Sequence, residues 1–152
     1  MFYSFRFESE CHADLSRVPL HVRMKLDVTG IKISLKDWLA FSFEERNVLC
    51  HLPIETADEA QAFAYYLDFL SRKYCGKPVA TTTAMNSTLW ESSNRVPELV
   101  AASSRAGTRA VTLEEWRHWN FFQRYALYKT AVSKHQPEQF FALLQELRES
   151  KG

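Results

Sequence analysis

Apolar residues recur along this chain at steps of three and four positions, the spacing that places them on one side of an α-helix. Val18, Val22 and Leu26 follow this spacing, and Pro19 suits the first turn of a helix because its missing N–H costs nothing there. Helix starts are marked by a Ser or Thr with an acidic residue three positions later. Four predicted helices open with such a pair, at Ser34/Asp37, Ser42/Glu45, Thr56/Glu59 and Thr112/Glu115. The pattern predicts an all-α protein.

Further boundaries follow from glycine and proline. Gly30 and Gly76 suit left-handed helix ends, and a long helix is expected from Ala57 to about Tyr74. Toward the end of the chain, the pattern predicts one continuous helix over 113–132, and Pro137 opens the last helix. Residues 77–94 are rich in Thr, Ser and Asn without a helical period, so we expect an irregular linker, either functional or packed through Leu89 and Trp90.

The segment 33–49 resembles the segment 111–127, and the two align without a gap at an offset of 78 positions. Twelve of the 54 positions from 17 to 70 are identical to their counterparts, against roughly three expected by chance. The sequence therefore predicts two copies of one helical unit, at about 17–76 and 95–152, joined by the linker 77–94. We expect the copies to form one domain with pseudo-two-fold symmetry, in which Trp38 and Trp116 are buried together.

The composition of the chain argues against nucleic-acid-binding and membrane-spanning proteins. Nineteen basic and eighteen acidic residues give a net charge of +1 without a basic stripe, which argues against a nucleic-acid binder. A helix-turn-helix reading of 34–52 would make a transcriptional regulator, but Glu44 and Glu45 would face the phosphates. No stretch is apolar enough to span a membrane, and no signal-peptide layout opens the chain, so a cytoplasmic protein is expected.

No catalytic motif or metal-binding spacing is present. Cys11-His12 and Cys50-His51 are adjacent pairs whose side chains project in different directions, and His135 suits a turn between helices. Three widely spaced cysteines favour reduced thiols. The sequence therefore predicts no catalytic residues, no metal and no cofactor.

Arg46 and Arg124 occupy matching places in the two copies, eight residues after the shared Trp. We interpret them as structural clamps that bond helix C-terminal carbonyls or a carboxylate, with anion binding as the alternative. By contrast, Arg23, Lys25 and Asp27 have no counterparts in the second copy. Since a requirement of the shared fold should appear twice, this one-sided set, together with Lys32, is a candidate partner-binding face; an ordinary solvated helix face is the alternative.

The run from Val18 to Pro53 resembles the conserved nitrate reductase-associated protein family. The matching residues are Val18-Pro19-Leu20, Val22-Arg23, Lys25-Leu26-Asp27, Gly30-Ile31-Lys32-Ile33-Ser34-Leu35, Trp38, Glu45-Arg46, Leu49 and Leu52-Pro53. Phe5–Glu8 and, in the second half, Trp90, Val96-Pro97, Leu113, Trp116 and Gln123–Leu127 are similar too. The segment 135–140 departs from the family pattern, which leaves the role of its polar residues open.

The resemblance implies an accessory or maturation factor that binds the apoprotein of molybdenum-dependent nitrate reductase, in the manner of an assembly chaperone. It brings no catalytic residues and no cofactor. A protein that binds a small anion or cofactor is the alternative, with Arg23, Lys25, Lys32, Arg46 and Arg124 as the available cations.

Overall fold

A computed structural model describes residues 5–8, 15–85, 88–92, 94–133 and 137–149. The described chain is mostly helical and contains one small two-stranded sheet. It divides into two compact units, one within residues 8–85 and the other made of residues 5–7 and 86–152. The division at 85/86 falls inside the predicted linker.

The first unit holds four helices and two short strands. In chain order they are α1 (Leu20–Thr29), β1 (Ile31–Lys32), α2 (Leu35–Ala40), α3 (Phe43–His51), α4 (Ala57–Cys75) and β2 (Ala80–Thr81). Capping boxes open α2, α3 and α4 at Ser34, Ser42 and Thr56, as predicted. In each, the hydroxyl accepts from the backbone N–H three residues on, and the acidic side chain accepts from the cap's own N–H.

Gly30 ends α1 in the left-handed conformation with φ +73°, and the linker then packs directly over it. β1 and β2 pair antiparallel, with Ile31 opposite Thr81. A Cβ on Gly30 would lie 2.7 Å from the Thr82 carbonyl oxygen, so the close approach as well as the positive φ requires glycine here.

The expectation of an irregular linker over 77–94 is therefore wrong in part. Its first half supplies β2, and its second half forms the short helix α5 (Thr88–Glu91). Two residues suffice for the strand because its backbone groups are satisfied by β1 and by a bond from the Thr82 N–H to the Gly30 carbonyl. Trp90 is fully buried, whereas Leu89 is exposed.

The second unit includes residues 5–7, which overlap a 3-10 turn over Arg6–Glu8, and continues with α5 in the second half of the linker. Then follow α6 (Glu98–Arg105), α7 (Leu113–His118), α8 (Phe121–Val132) and α9 (Pro137–Glu149). The capping box at Thr112 is confirmed. The predicted continuous helix over 113–132 is wrong, because Asn120 and Gln123 form a further capping box that starts α8.

Each unit has its own apolar core. In the first, Phe63, Leu67 and Leu70 of α4 are buried against residues from α1 to α3. In the second, the buried residues of α9 are Phe140, Leu143, Leu144 and Leu147.

The starts of α1, α2 and α3 recur 78 positions later at α6, α7 and α8. The last helices follow a different offset: Phe63, Leu67 and Leu70 match Phe140, Leu144 and Leu147, which lie 77 positions further on. The offset of 78 aligns Phe63 with Phe141, whereas the buried counterpart of Phe63 is Phe140, one residue earlier. The descent of both units from one copy, and the joint packing of Trp38 and Trp116, stay predictions.

Candidate functional site

In the first unit, a tryptophan and an arginine hold the segment that leads into α1. The Trp38 indole N–H and the Arg46 guanidinium both donate to the Leu15 carbonyl, at 2.7 and 2.9 Å. Leu15 is buried and has a φ of +53°, a conformation that a branched side chain adopts only when its surroundings hold it there.

The second unit makes the same kind of arrangement with Trp116 and Arg124. The Trp116 indole donates to the Ser92 carbonyl at 3.0 Å. The Arg124 guanidinium donates to the carbonyls of Trp90 (2.6 Å) and Glu91 (3.2 Å) at the end of α5, and to that of Trp119 (2.5 Å). Arg124 therefore donates hydrogen bonds to backbone carbonyls at two helix ends, where the last carbonyls have no partner within the helix.

Lys25 lies in the core of the first unit and not on the surface where the sequence analysis placed it. Its Nζ donates to the carbonyls of Leu49 (3.0 Å), Cys50 (2.9 Å) and Leu52 (2.5 Å), at the C-terminal end of α3. The side chain is 1% exposed, and burial lowers its pKa to about 8. An ammonium suits this position because the last carbonyls of a helix lack partners and carry partial negative charge.

The other three residues of that candidate face differ in exposure. Arg23 on α1 and Lys32 on β1 are exposed, and Asp27 is half-buried. Since Lys25 projects inward, the set does not form one continuous charged surface. Arg23 and Lys32 are the members that a partner could reach directly.

Of the cysteine and histidine residues considered as metal ligands or catalytic groups, the structure describes only Cys50 and His51. Cys11, His12 and His135 lie outside the described residues. Cys50 is buried, and burial raises the pKa of its thiol to about 11, so it is not a thiolate at neutral pH. His51 is exposed, with Nδ1 2.8 Å from the Asn47 carbonyl. Within the described ranges, no three His, Cys, Asp or Glu side chains are grouped so as to hold a metal ion.

The outer side of α4 carries an exposed aromatic strip, which we define as Tyr65 and Phe69, one helical turn apart. Tyr65 is 66% exposed and Phe69 is 56% exposed. The Lys73 Nζ lies 6.0 Å from the centre of the Phe69 ring and 5.0 Å from that of Tyr74, and it also bonds Glu45 at 3.0 Å. Lys73 and Glu45 therefore hold this side of the helix in place.

The family comparison agrees with the resemblance seen in the sequence. The model of the family described as conserved nitrate reductase-associated protein matches residues 4–147. The chain belongs to this family. No curated protein and no solved structure matches it. No helix among the described residues has the length and apolar character to cross a membrane.

Several residues that carry the family resemblance have structural contacts here. Lys25 bonds the end of α3, Gly30 fits under the linker, and Trp38 and Arg46 hold Leu15. The sequence predicted a long helix from Ala57 to about Tyr74, but not the aromatic strip on its outer side. The signal was available: Tyr65 and Phe69 are four positions apart, on the side of the helix that also carries Gln61 and Arg72.

Proposed function

We propose that this chain is a non-catalytic accessory protein that binds the nitrate reductase apoprotein and assists its maturation, and that the aromatic strip of α4 is the main contact. The single observation that supports this choice of binding surface is that Tyr65 and Phe69, one helical turn apart, are both exposed. Aromatic side chains of this kind supply much of the binding energy of protein–protein interfaces. The family description supports the choice of partner.

A comparison of the two long helices supports the same surface. At the offset of 77 that matches their buried sides, Tyr65 and Phe69 of α4 correspond to Ala142 and Glu146 of α9. Helix α9 therefore forms without aromatic residues on its outer side. Because the fold does not demand them, a binding role is the simplest reason for two large rings in water.

The exposed charges Arg23 and Lys32 fit this proposal as a secondary contact in the same unit. Charged residues around an apolar patch steer association and raise the rate of binding more than the final affinity. Lys25 is left out, because a change there acts on the core.

The experiment is co-purification of the tagged chain with nitrate reductase subunits from its own host. The test variant is Tyr65→Ala with Phe69→Ala. The matched control is Leu99→Ala with Val132→Ala, a pair of exposed apolar helix residues in the second unit with 46% and 43% exposure. We expect the reductase to be lost with the first pair and retained with the second, at unchanged melting temperatures.

Two results would count against the proposal at different levels. Retention of the reductase by the Tyr65/Phe69 variant would remove the aromatic strip as the contact. Absence of the reductase from the wild-type preparation would remove the partner itself. For the charged contact, Arg23→Glu with Lys32→Glu should slow association, and the effect should shrink at high salt.

The proposal includes two further points. We also propose that the chain acts in the cytoplasm, where it would meet an apoprotein partner; cell fractionation would test this. The matching helix starts support descent of the two units from one copy, and a pseudo-two-fold arrangement within one domain is the expected result of such a duplication.

A further inference from the structure

The second unit contains a cleft of about 690 Å³ beside α7 and the end of α9. Its volume lies within the range of pockets that bind small molecules. The lining residues are mostly charged: Arg109, Thr112, Glu114, Glu115, Arg117, His118, Trp119, Leu147 and Arg148.

One wall of the cleft is a rigid ion-pair network. The Arg148 guanidinium donates to both Glu115 carboxylate oxygens, at 2.8 and 3.1 Å, and to the Arg109 carbonyl at 3.1 Å. Arg109 donates to the same carboxylate at 3.2 Å. Hydrogen bonds from Arg148 and from the Thr112 N–H, with the charge of Arg109, lower the pKa of Glu115 to about 2. Two arginines thus neutralise this carboxylate and fix the wall.

Two other donors that line the cleft, Arg117 and His118, have no such partner among the described residues. In the part of the chain that the structure describes, the side chains of Arg117 and His118 form no hydrogen bond or ion pair, and both are exposed. A guanidinium presents a planar set of N–H donors that matches the oxygens of carboxylate and phosphate groups. Glu114 is the one negative lining group outside the network, and it opposes an anion.

Arg109, Arg117 and His118 have no equivalents in the first unit. Seventy-eight positions before Arg109, Arg117 and His118 stand Ile31, Leu39 and Ala40. Helix α2, which starts at the place equivalent to α7, therefore forms without them. The fold does not account for a free arginine and histidine at this opening.

We propose that this cleft binds a small organic anion. Arg117 and His118 would bind its oxyanion group, a carboxylate or a phosphate, and Trp119 and Leu147 would form the apolar edge for the rest of the molecule. The site is distinct from the aromatic strip of α4 and from every cation that the sequence analysis considered for anion binding. It goes beyond the proposed partner binding and does not depend on it.

The test is isothermal titration calorimetry of the full chain at low ionic strength. The probes are phenyl phosphate and benzoate, which distinguish the two oxyanions, and neutral benzyl alcohol. We expect at least one anion to bind with a Kd below about 1 mM, and the alcohol to give no heat. Arg117→Ala should weaken binding at least about tenfold, and Glu114→Gln should strengthen it several-fold, since it removes the opposing charge.

Arg105→Ala is the matched control, an exposed arginine of the same unit that pairs with Glu98 outside the cleft. It should leave the affinity unchanged. The proposal is overturned if neither anion binds, if benzyl alcohol binds equally well, or if Arg105→Ala weakens binding as much as Arg117→Ala does. Because the reductase is absent from this assay, its outcome is separate from that of the co-purification.

Discussion

Replacing Lys25 by methionine tests whether this residue stabilises the core or serves a surface. The change keeps an unbranched side chain of similar length and removes the ammonium. It leaves the carbonyls of Leu49, Cys50 and Leu52 without their shared donor. The matched control is Arg23→Met, two residues away on the same helix and exposed.

The size of the effect follows from two opposing contributions. A buried carbonyl left without a donor costs about 1–3 kcal/mol, so three amount to roughly 3–9 kcal/mol. Methionine also removes the cost of burying a charge. The fall in the pKa of Lys25 from 10.5 to about 8 corresponds to about 3 kcal/mol. The difference is roughly 0–6 kcal/mol. Breaking a buried charged contact usually costs a middle value, so we expect Lys25→Met to lower the free energy of unfolding by roughly 2–5 kcal/mol, and Arg23→Met to change it by less than about 0.5 kcal/mol.

The assay is urea denaturation of the full chain, followed by far-ultraviolet circular dichroism, with the transition of the first unit compared among the three proteins. Equal stability of Lys25→Met and Arg23→Met would refute the structural role. A charge reversal at Lys25 should unfold the unit, so loss of partner binding in such a variant would carry no information about a binding surface.

Three further predictions concern particular contacts. Gly30→Ala should lower the free energy of unfolding by about 2–3 kcal/mol, whereas Gly76→Ala should lower it by only about 1 kcal/mol. Both glycines have a positive φ, but only Gly30 is crowded, by the Thr82 carbonyl. Differential scanning calorimetry of the two variants would measure the difference. Arg124→Met should cost about 3–5 kcal/mol by urea denaturation, since three carbonyls lose their donor; a loss below about 1 kcal/mol would contradict the clamp. Glu115→Gln should cost about 2–3 kcal/mol at neutral pH. Because folding lowers the pKa of Glu115 from 4.5 to about 2, its contribution is complete above pH 4.5 and is lost as the pH falls toward 2, so the difference from wild type should shrink over that range in acid denaturation.

Local signals in the sequence predicted the helix starts, because a capping box is complete within four residues. Ser34, Ser42, Thr56 and Thr112 all cap as expected. Asn120 and Gln123 do not match the pattern of a Ser or Thr with an acidic residue three positions later, so the sequence did not predict the helix start that they form. The Asn120 amide accepts from the Gln123 N–H and breaks a pattern that otherwise reads as one helix.

Interactions between distant segments could not be predicted in the same way. Lys25 follows the polar side of α1 in the sequence, and the three carbonyls that draw it inward belong to the end of α3, more than twenty positions away. The strand at 80–81 exists only because β1 is there to pair with it. The cleft beside α7 depends on Arg148 reaching Glu115 across 33 positions, so its charges appear unrelated in the linear chain.

The indole bonds of Trp38 and Trp116 give each unit its own reporter of local opening. Each indole N–H donates to a carbonyl in the leading segment of its unit: that of Leu15, before α1, in the first unit and that of Ser92, between α5 and α6, in the second. Such a hydrogen exchanges with solvent only when the bond breaks and water enters, so its exchange rate measures the free energy of that opening. Hydrogen–deuterium exchange at these two nitrogens would thus measure, within one intact chain, how firmly each unit holds its leading segment.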